Sequence, residues 1–242
     1  MSRKLPVLEL YNVVKLYTVG EIRVWALRGV NLRVEEGDFI SIMGPSGSGK
    51  TTLLLIAGLL EKPTEGVVRI GGRNTTKLSE RELAYYRNRF IGFVFQQYNL
   101  INRLTVLENI ELPLIPRGIP REKRKKLAVE ALLRVGGEEE WLYKKPLQLS
   151  GGQQQRVAIA RAIVGSPKLI LADEPTGAVD RKTAKKIIET FKQLNTDGLT
   201  LVIVTHDPEI ANCAEKILLL RDGRIVDSVL PSPSKCITRT VA

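Results

Sequence analysis

The sequence has few cysteines and histidines and no long apolar run. Its 242 residues include two cysteines, Cys213 and Cys236, and one histidine. The cysteines lack the close spacing of a zinc site, and we expect both to be free thiols in a reducing compartment. A membrane-spanning helix needs about 20 successive apolar residues, and no run approaches that length. Pro6 and Glu9 soon follow the basic first residues, which disfavours a signal peptide, so we expect a cytoplasmic protein.

Basic residues outnumber acidic ones, which gives a formal net charge of +11. Such an excess is compatible with nucleic acid, with an anionic membrane surface or with no specific partner. Much of it lies in a basic run at residues 121–126, which precedes apolar residues on one helical stripe. Two interpretations of this run stay open, namely a solvated helix face and a contact with acidic lipid headgroups.

A glycine-rich stretch at residues 44–52 carries the strongest signal in the sequence. It follows the pattern Gly-x-x-x-x-Gly-Lys-Ser/Thr between a buried strand predicted at residues 39–43 and a helix predicted at 53–60. Glycines there let backbone N–H groups surround phosphate, and the helix N-terminus adds positive charge. We expect Lys50 to reach the β- and γ-phosphates of a nucleotide and the Thr51 hydroxyl to bind Mg²⁺. The predicted phosphate loop comprises Gly44, Pro45, Ser46, Gly47, Ser48, Gly49, Lys50, Thr51 and Thr52.

Polar side chains follow three further predicted strands. Asp173 and Glu174 end a continuous apolar run, which is typical of a parallel strand buried on both faces. Ligands of open α/β sheets bind at the carboxyl ends of such strands. We therefore expect Asp173 to hold hydrated Mg²⁺ and Glu174 to orient and deprotonate the attacking water. Gln96 and His206 each follow another strand, where Gln96 can reach a metal or water and His206 can contact a γ-phosphate.

Ser150 marks a second helix N-terminus that is suited to an anion. Its hydroxyl is a good helix cap, and the two glycines after it expose backbone N–H groups. A plain capped helix is the alternative interpretation of this segment on its own. Asp180 is a candidate cap for the next helix. Residues 98–149 lack strand signals and are punctuated by prolines, which predicts a mainly helical insertion.

Taken in order, these motifs resemble the nucleotide-binding subunit of an ATP-binding cassette (ABC) transporter over residues 8–230. The matching motifs are the phosphate loop, the glutamine loop, a signature, the acidic strand end, the loop before Asp180 and the switch histidine. The signature comprises Leu149, Ser150, Gly151, Gly152 and Gln153. Val179 stands where leucine is usual, and we expect no loss of activity from it. The residues around the glutamine loop and in the signature resemble those of the subgroup that serves lipoprotein release, macrolide efflux and cell division.

The resemblance implies an α/β fold of the P-loop NTPase type. Its core is a mixed RecA-like sheet with helices, to which an antiparallel β subdomain and an inserted helical subdomain are added. It also implies a single ATPase domain at residues 1–230, with the core at 1–97 and 163–230 and the helical signature subdomain at 98–162. We expect residues 231–242 to form a flexible tail.

The resemblance further implies an ATPase that uses ATP and Mg²⁺. The catalytic residues would be Lys50, Gln96, Glu174 and His206. The metal would be held by Thr51, Gln96 and Asp173. The nucleotide would also contact Ser150, Gly151, Gly152, Gln153 and Asp180. Tyr17, rather than Tyr11 or Trp25, would stack on the adenine.

The family pattern implies a head-to-tail homodimer with two ATP molecules at its interface. Ser150 and Gly152 of one subunit would complete the γ-phosphate site of the other, and a transmembrane permease subunit would hold the dimer at the inner face of the cell membrane. An ATPase acting on nucleic acid, or a mechanical or regulatory partner without solute transport, is the alternative. One phosphate loop and no sustained heptads disfavour the nucleic-acid relatives, so we expect no nucleic-acid partner. The sequence does not indicate the identity of the transported substrate.

Overall fold

The computed structural model describes residues 6–239. The strands in this range are β1 (Pro6–Val19), β2 (Ile22–Glu35), β3 (Phe39–Met43), β4 (Glu65–Ile70), β5 (Arg73–Asn74), β6 (Ile91–Phe95), β7 (Leu169–Asp173), β8 (Thr200–Thr205), β9 (Lys216–Arg221) and β10 (Arg224–Val229). The α-helices are α1 (Lys50–Ala57), α2 (Glu80–Phe90), α3 (Val106–Glu111), α4 (Arg121–Arg134), α5 (Gly151–Ile163), α6 (Arg181–Thr196) and α7 (Pro208–Ala211). None of these helices is long and apolar enough to cross a bilayer.

The larger sheet has six strands in the order β10-β9-β3-β8-β7-β6. All neighbours from β9 to β6 are parallel, and β10 pairs with β9 as an antiparallel hairpin. The turn Asp222-Gly223 between two apolar runs predicts this hairpin from the sequence. The apolar run of β7 is buried on both faces, because Leu169 and Leu171 pack into one core while Ile170 and Ala172 pack into another. The parallel arrangement brings the carboxyl ends of β3, β6, β7 and β8 to one edge of the sheet, where ligands bind in such folds.

The smaller sheet is antiparallel, with the order β2-β1-β4-β5. Apolar and polar residues alternate over residues 30–35, which predicts a half-exposed strand. This prediction is confirmed, because Val30, Leu32 and Val34 are buried and Asn31 and Arg33 are exposed. The apolar pattern of residues 8–14 also predicts a strand, but β1 and β2 both extend well beyond the patterned residues, since they continue to pair through half-buried and exposed side chains.

Between β6 and β7 the structure contains helices and 3₁₀ turns and no strand. Helix α2 was not predicted from the sequence. Its eleven residues include five charged ones, and Leu83 alone is fully buried, so the apolar stripe is weak. The capping box of Ser79 and Glu82 is the local signal that indicates its start.

The prediction of free cysteines is wrong. Cys213 follows α7, and Cys236 lies in the C-terminal segment; the two form a disulfide with Cα atoms 4.8 Å apart. The segment is also packed where we predicted a flexible tail, at least as far as residue 239. Cys236 is buried, the Ile237 side chain packs against the core, and the Ile237 N–H donates to the Glu209 carbonyl at 3.2 Å. A spacing of 23 residues could not show that this segment folds back onto α7.

Candidate active site

The phosphate loop joins β3 to α1, which begins at Lys50, three residues earlier than predicted. Gly49, directly before α1, has φ of 101°, a left-handed conformation that favours glycine. A Cβ on Gly44 would collide with the Leu220 carbonyl oxygen of β9. The loop is therefore tight at both ends, and the N–H groups at the start of α1 form an anion-binding helix N-terminus.

Lys50 is buried within the loop. Its Nζ donates to the carbonyl oxygens of Gly44 at 2.9 Å and Pro45 at 2.8 Å. The same side chain lines a cavity of about 690 Å³ next to the loop. A third ammonium proton is left over from these two bonds, so Lys50 is placed to donate to an anion in that cavity.

Thr51 and Asp173 bring oxygen atoms from α1 and β7 together. The Thr51 hydroxyl donates to Asp173 Oδ2 at 3.1 Å. Burial raises the pKa of the Asp173 carboxyl, and the Glu174 carboxylate adds to the rise, while the Thr51 hydrogen bond and Lys50 oppose it. A hydroxyl and a carboxylate are the hard oxygen ligands that Mg²⁺ uses beside nucleotide phosphates. The pair fits that ion, although residues 6–239 hold no cluster of three or more His, Cys, Asp or Glu residues that could bind a metal unaided.

Glu174 is held in one orientation at the end of β7. Its Oε2 accepts the Thr205 hydroxyl at 3.1 Å, and its Oε1 accepts the His206 N–H at 3.0 Å and lies 2.7 Å from His206 Nδ1. Only 15% of the Glu174 side chain is exposed, against 70% of the His206 side chain. Sequence reasoning missed Thr205, although its position directly before His206 at a strand end was a usable signal.

The cavity brings together all four predicted catalytic residues, namely Lys50, Gln96, Glu174 and His206. Asp173 also lines it, together with every residue of the predicted phosphate loop except Gly44 and Ser48. The sequence had not singled out Val24 and Ala26, which also line it, and Trp25 does so where Tyr17 was preferred. These β2 residues reach the cavity because β2 runs close to the loop, where a Cβ on Gly49 would collide with the Ala26 carbonyl.

Tyr17 does not line the cavity. Its hydroxyl donates to Glu61 Oε2 at 2.6 Å, and the Lys15 ammonium lies 5.0 Å from its ring centre. Partial burial, followed by the Glu61 hydrogen bond, raises the pKa of the Tyr17 hydroxyl, and the nearby Thr52 side chain opposes this rise. Tyr17 is thus close to Thr52, which lines the cavity.

The signature lies outside the cavity, at the start of α5. Ser150 caps α5 in a capping box with Gln153. Asp180 caps α6 by accepting from the Thr183 N–H at 3.0 Å, and a Cβ on Gly152 would collide with the Thr183 methyl group. The starts of α5 and α6 are therefore neighbours, and Ser150, Gly152 and Asp180 do not line the cavity beside the phosphate loop of their own chain.

A phosphate loop on a mostly parallel sheet, facing an aspartate and a glutamate at the end of a neighbouring strand, defines a P-loop ATPase. Comparison with known proteins identifies the family within this class. The ABC transporter family model matches residues 27–177, and the chain belongs to this family.

Named relatives agree with this assignment. An uncharacterized ABC transporter ATP-binding protein of Thermotoga maritima is 54% identical over 219 residues, which are 90% of this chain and 93% of that protein. The macrolide export ATP-binding/permease protein MacB of Nitrobacter winogradskyi is 44% identical over 230 residues, 95% of this chain but 36% of MacB. These relatives support the subgroup assignment that the residues of the glutamine loop and the signature indicated.

Solved structures agree in fold. The dimeric cassette MJ0796 of Methanocaldococcus jannaschii, in a post-hydrolysis state bound to ADP and Pi, matches with a TM-score of 0.87 and 51% identity. The match covers 93% of this chain and 99% of that one. The predicted P-loop ABC ATPase fold is thus confirmed, and the chain is an ATP-binding and ATP-hydrolysing subunit of an ABC transporter.

Proposed function

We propose that two copies of this chain bind two ATP molecules between them, head to tail, and drive a transmembrane permease from the cytoplasmic face of the membrane. The observation that carries this proposal is the separation of the two anion-binding helix ends. One faces the catalytic cavity, and the signature at Ser150 does not. If each copy presented its signature to the cavity of the other, the N-terminus of α5 would contact the phosphates of the nucleotide bound there.

The roles in the cavity follow from its chemistry. Lys50 neutralises the β- and γ-phosphates, and Thr51, Asp173 and Gln96 would hold Mg²⁺, which would offset charge on the transferred phosphoryl group. Glu174 is the base that takes a proton from the attacking water, and His206 contacts the γ-phosphate. The adenine extends from the phosphate loop past Thr52 to stack on Tyr17.

The permease is proposed to dock in a cleft beside the glutamine loop. This cleft, of about 840 Å³, lies between α2 and β6 on one side and the 3₁₀ segment Leu112–Arg117 on the other, and we name it the α2 cleft. Among the described residues that line it are five arginines and no carboxylate. The lining is largely apolar and includes the exposed Tyr85 and Asn99, which follows the glutamine loop. An apolar cleft with unbalanced positive charge suits a partner segment that carries carboxylates.

We also propose that the helical signature subdomain at 98–162 moves as a unit on the core at 1–97 and 163–230. The absence of strands between β6 and β7, in the part of the chain that the structure describes, supports this division. Arg161 connects the two ends of this subdomain, because it donates from α5 to the carbonyl oxygens of Tyr98 and Asn99 at 2.8 and 2.6 Å.

Charge reversal in the α2 cleft tests the docking. Arg81→Glu with Arg89→Glu changes two exposed cleft residues of α2 and should abolish co-purification of the permease from native membranes, because it repels an acidic segment. Arg224→Glu, on exposed β10, is the control and should keep the permease bound. ATPase activity of the purified soluble variants should stay at the wild-type level. If the wild-type chain retains no membrane protein, the transporter proposal fails. If the cleft variant retains the permease, only the cleft is wrong.

A further inference from the structure

The basic run that begins α4 lines neither the catalytic cavity nor the α2 cleft. It meets a segment that lies between α4 and α5. The Lys125 ammonium is 6.0 Å from the centre of the Tyr143 ring. Hydrogen bonds from Thr105 are the main reason that the pKa of the Glu108 carboxyl is lowered, and Arg121 and Lys145 add to this effect from nearby.

Arg121, Lys125, Tyr143 and Lys145 thus lie on one surface, which we name the α4 patch, and we include in it Leu147, which follows Lys145 by two residues. Tyr143 and Leu147 are 67% and 76% exposed. None of the ion pairs among residues 6–239 includes Arg121, Lys125 or Lys145. The Glu108 carboxylate, which lies near Arg121 and Lys145, already accepts the Thr105 N–H at 2.7 Å and the Thr105 hydroxyl at 2.9 Å.

We propose that the α4 patch binds the anionic headgroups of a lipid bilayer. The charged ends of the long lysine and arginine side chains are attracted to an anionic leaflet. Exposed tyrosine and leucine side chains can insert into the headgroup layer of that leaflet. A duplex nucleic acid is bound through many phosphates along a track of cations. The α4 patch instead combines three cations with an exposed aromatic ring and an exposed aliphatic side chain, which suits a lipid surface better.

The position of the patch agrees with this partner. Helix α4 begins after the 3₁₀ segment Leu112–Arg117, and Leu112, Pro113, Pro116 and Arg117 of that segment line the α2 cleft. A permease docked in the cleft would therefore bring the patch near the bilayer. This step alone rests on the proposed function, whereas the lipid contact is testable without a permease.

Vesicle flotation tests the proposal with the full chain in MgADP, so that the phosphate loop is filled. The wild-type protein should float with vesicles of equimolar phosphatidylglycerol and phosphatidylcholine and not with pure phosphatidylcholine. Arg121→Gln with Lys125→Gln should weaken binding about 25-fold, because each basic residue near an anionic surface strengthens binding about fivefold. Tyr143→Ser with Leu147→Ser should weaken the binding that persists at high salt, since apolar insertion is not screened.

Helix α6 supplies a matched control. Lys182 and Lys186 are exposed and have the same four-residue spacing, so Lys182→Gln with Lys186→Gln removes equal charge elsewhere. This variant should float like the wild type, and both variants should keep wild-type ATPase activity, which also reports that they fold. The proposal is overturned if the wild type shows no preference for anionic vesicles or if the two variants lose binding equally. It is also overturned if the α4 variant loses binding to duplex DNA but not to vesicles.

Discussion

Glu174 shows how a single residue is prepared for its chemistry. It has φ of 45°, a left-handed conformation that is uncommon for residues other than glycine. The backbone is held there because the Glu174 N–H donates to the Val204 carbonyl of β8 at 2.9 Å. Such strained residues cluster at functional sites, where the surrounding structure maintains them. The strain turns the carboxylate toward Thr205 and His206.

Glu174→Gln should keep ATP binding and slow ATP hydrolysis by about 10²–10⁴-fold, because an amide has the shape of the carboxylate but cannot accept the proton from water. Steady-state phosphate release and equilibrium binding of ATP measure the two effects. Glu209→Gln is the matched control, since Glu209 lies on α7 outside the cavity and pairs with Arg181. Near-normal turnover of Glu174→Gln would remove this residue from the role of base.

At the scale of elements, the C-terminal segment and α7 depend on each other. Helix α7 has four residues, which is too short to be stable by its own hydrogen bonds. The disulfide attaches Cys236 to the residue after its C-cap, and the Ser232 N–H donates to Asn212 Oδ1 at 2.6 Å. Because α7 begins two residues after His206, this segment stabilises the backbone that follows the catalytic strand end.

Cys236→Ser should lower the free energy of unfolding by about 3 kcal/mol, the stabilisation expected for a disulfide that closes a loop of this length. Thermal or denaturant unfolding under oxidising conditions measures the loss. Cys213→Ser should cost the same, and a reductant should destabilise the wild type but neither variant. If native wild-type protein instead shows two reactive thiols and no effect of reductant, the cysteines are free in solution.

At the scale of the whole molecule, one chain contains one half of each of two proposed nucleotide sites. The catalytic cavity has the phosphate loop and the acidic strand end, and the signature at the start of α5 lies elsewhere. A head-to-tail pair would unite each cavity with the signature of the other copy, which a single chain cannot do.

Mixing two defective proteins tests this pairing. Lys50→Ala lacks a phosphate ligand, and Ser150→Arg blocks the signature, so each homodimer has two damaged sites. In a mixed dimer one site combines intact Lys50 with intact Ser150, while the other has both defects. Mixing should restore occlusion of about one ATP per mixed dimer, by the symmetry of a head-to-tail interface. Occlusion is measured because hydrolysis could need both sites. No recovery, with mixed dimers shown to form, would contradict the assignment of Ser150 to the partner's site.

The sequence by itself determined the features that depend on neighbouring residues along the chain. The period of two in residues 30–35, the apolar run of β7 and the spacing of the phosphate loop are local, because side-chain direction and backbone freedom repeat along the chain. The polar residues at strand ends could also be placed on one edge, because parallel strands bring their carboxyl ends together. This is why Lys50, Gln96, Asp173, Glu174 and His206 were found.

Only the tertiary structure decided what long-range packing creates. It joined Cys213 to Cys236, placed Trp25 of β2 at the cavity and left the Ser150 signature outside it. It also made α2 a helix, whose buried contacts depend largely on Leu83. The physical reason is the same in each case: these contacts connect residues far apart in the chain, and their free energy comes from surfaces that meet only when the two sheets and the helices have packed.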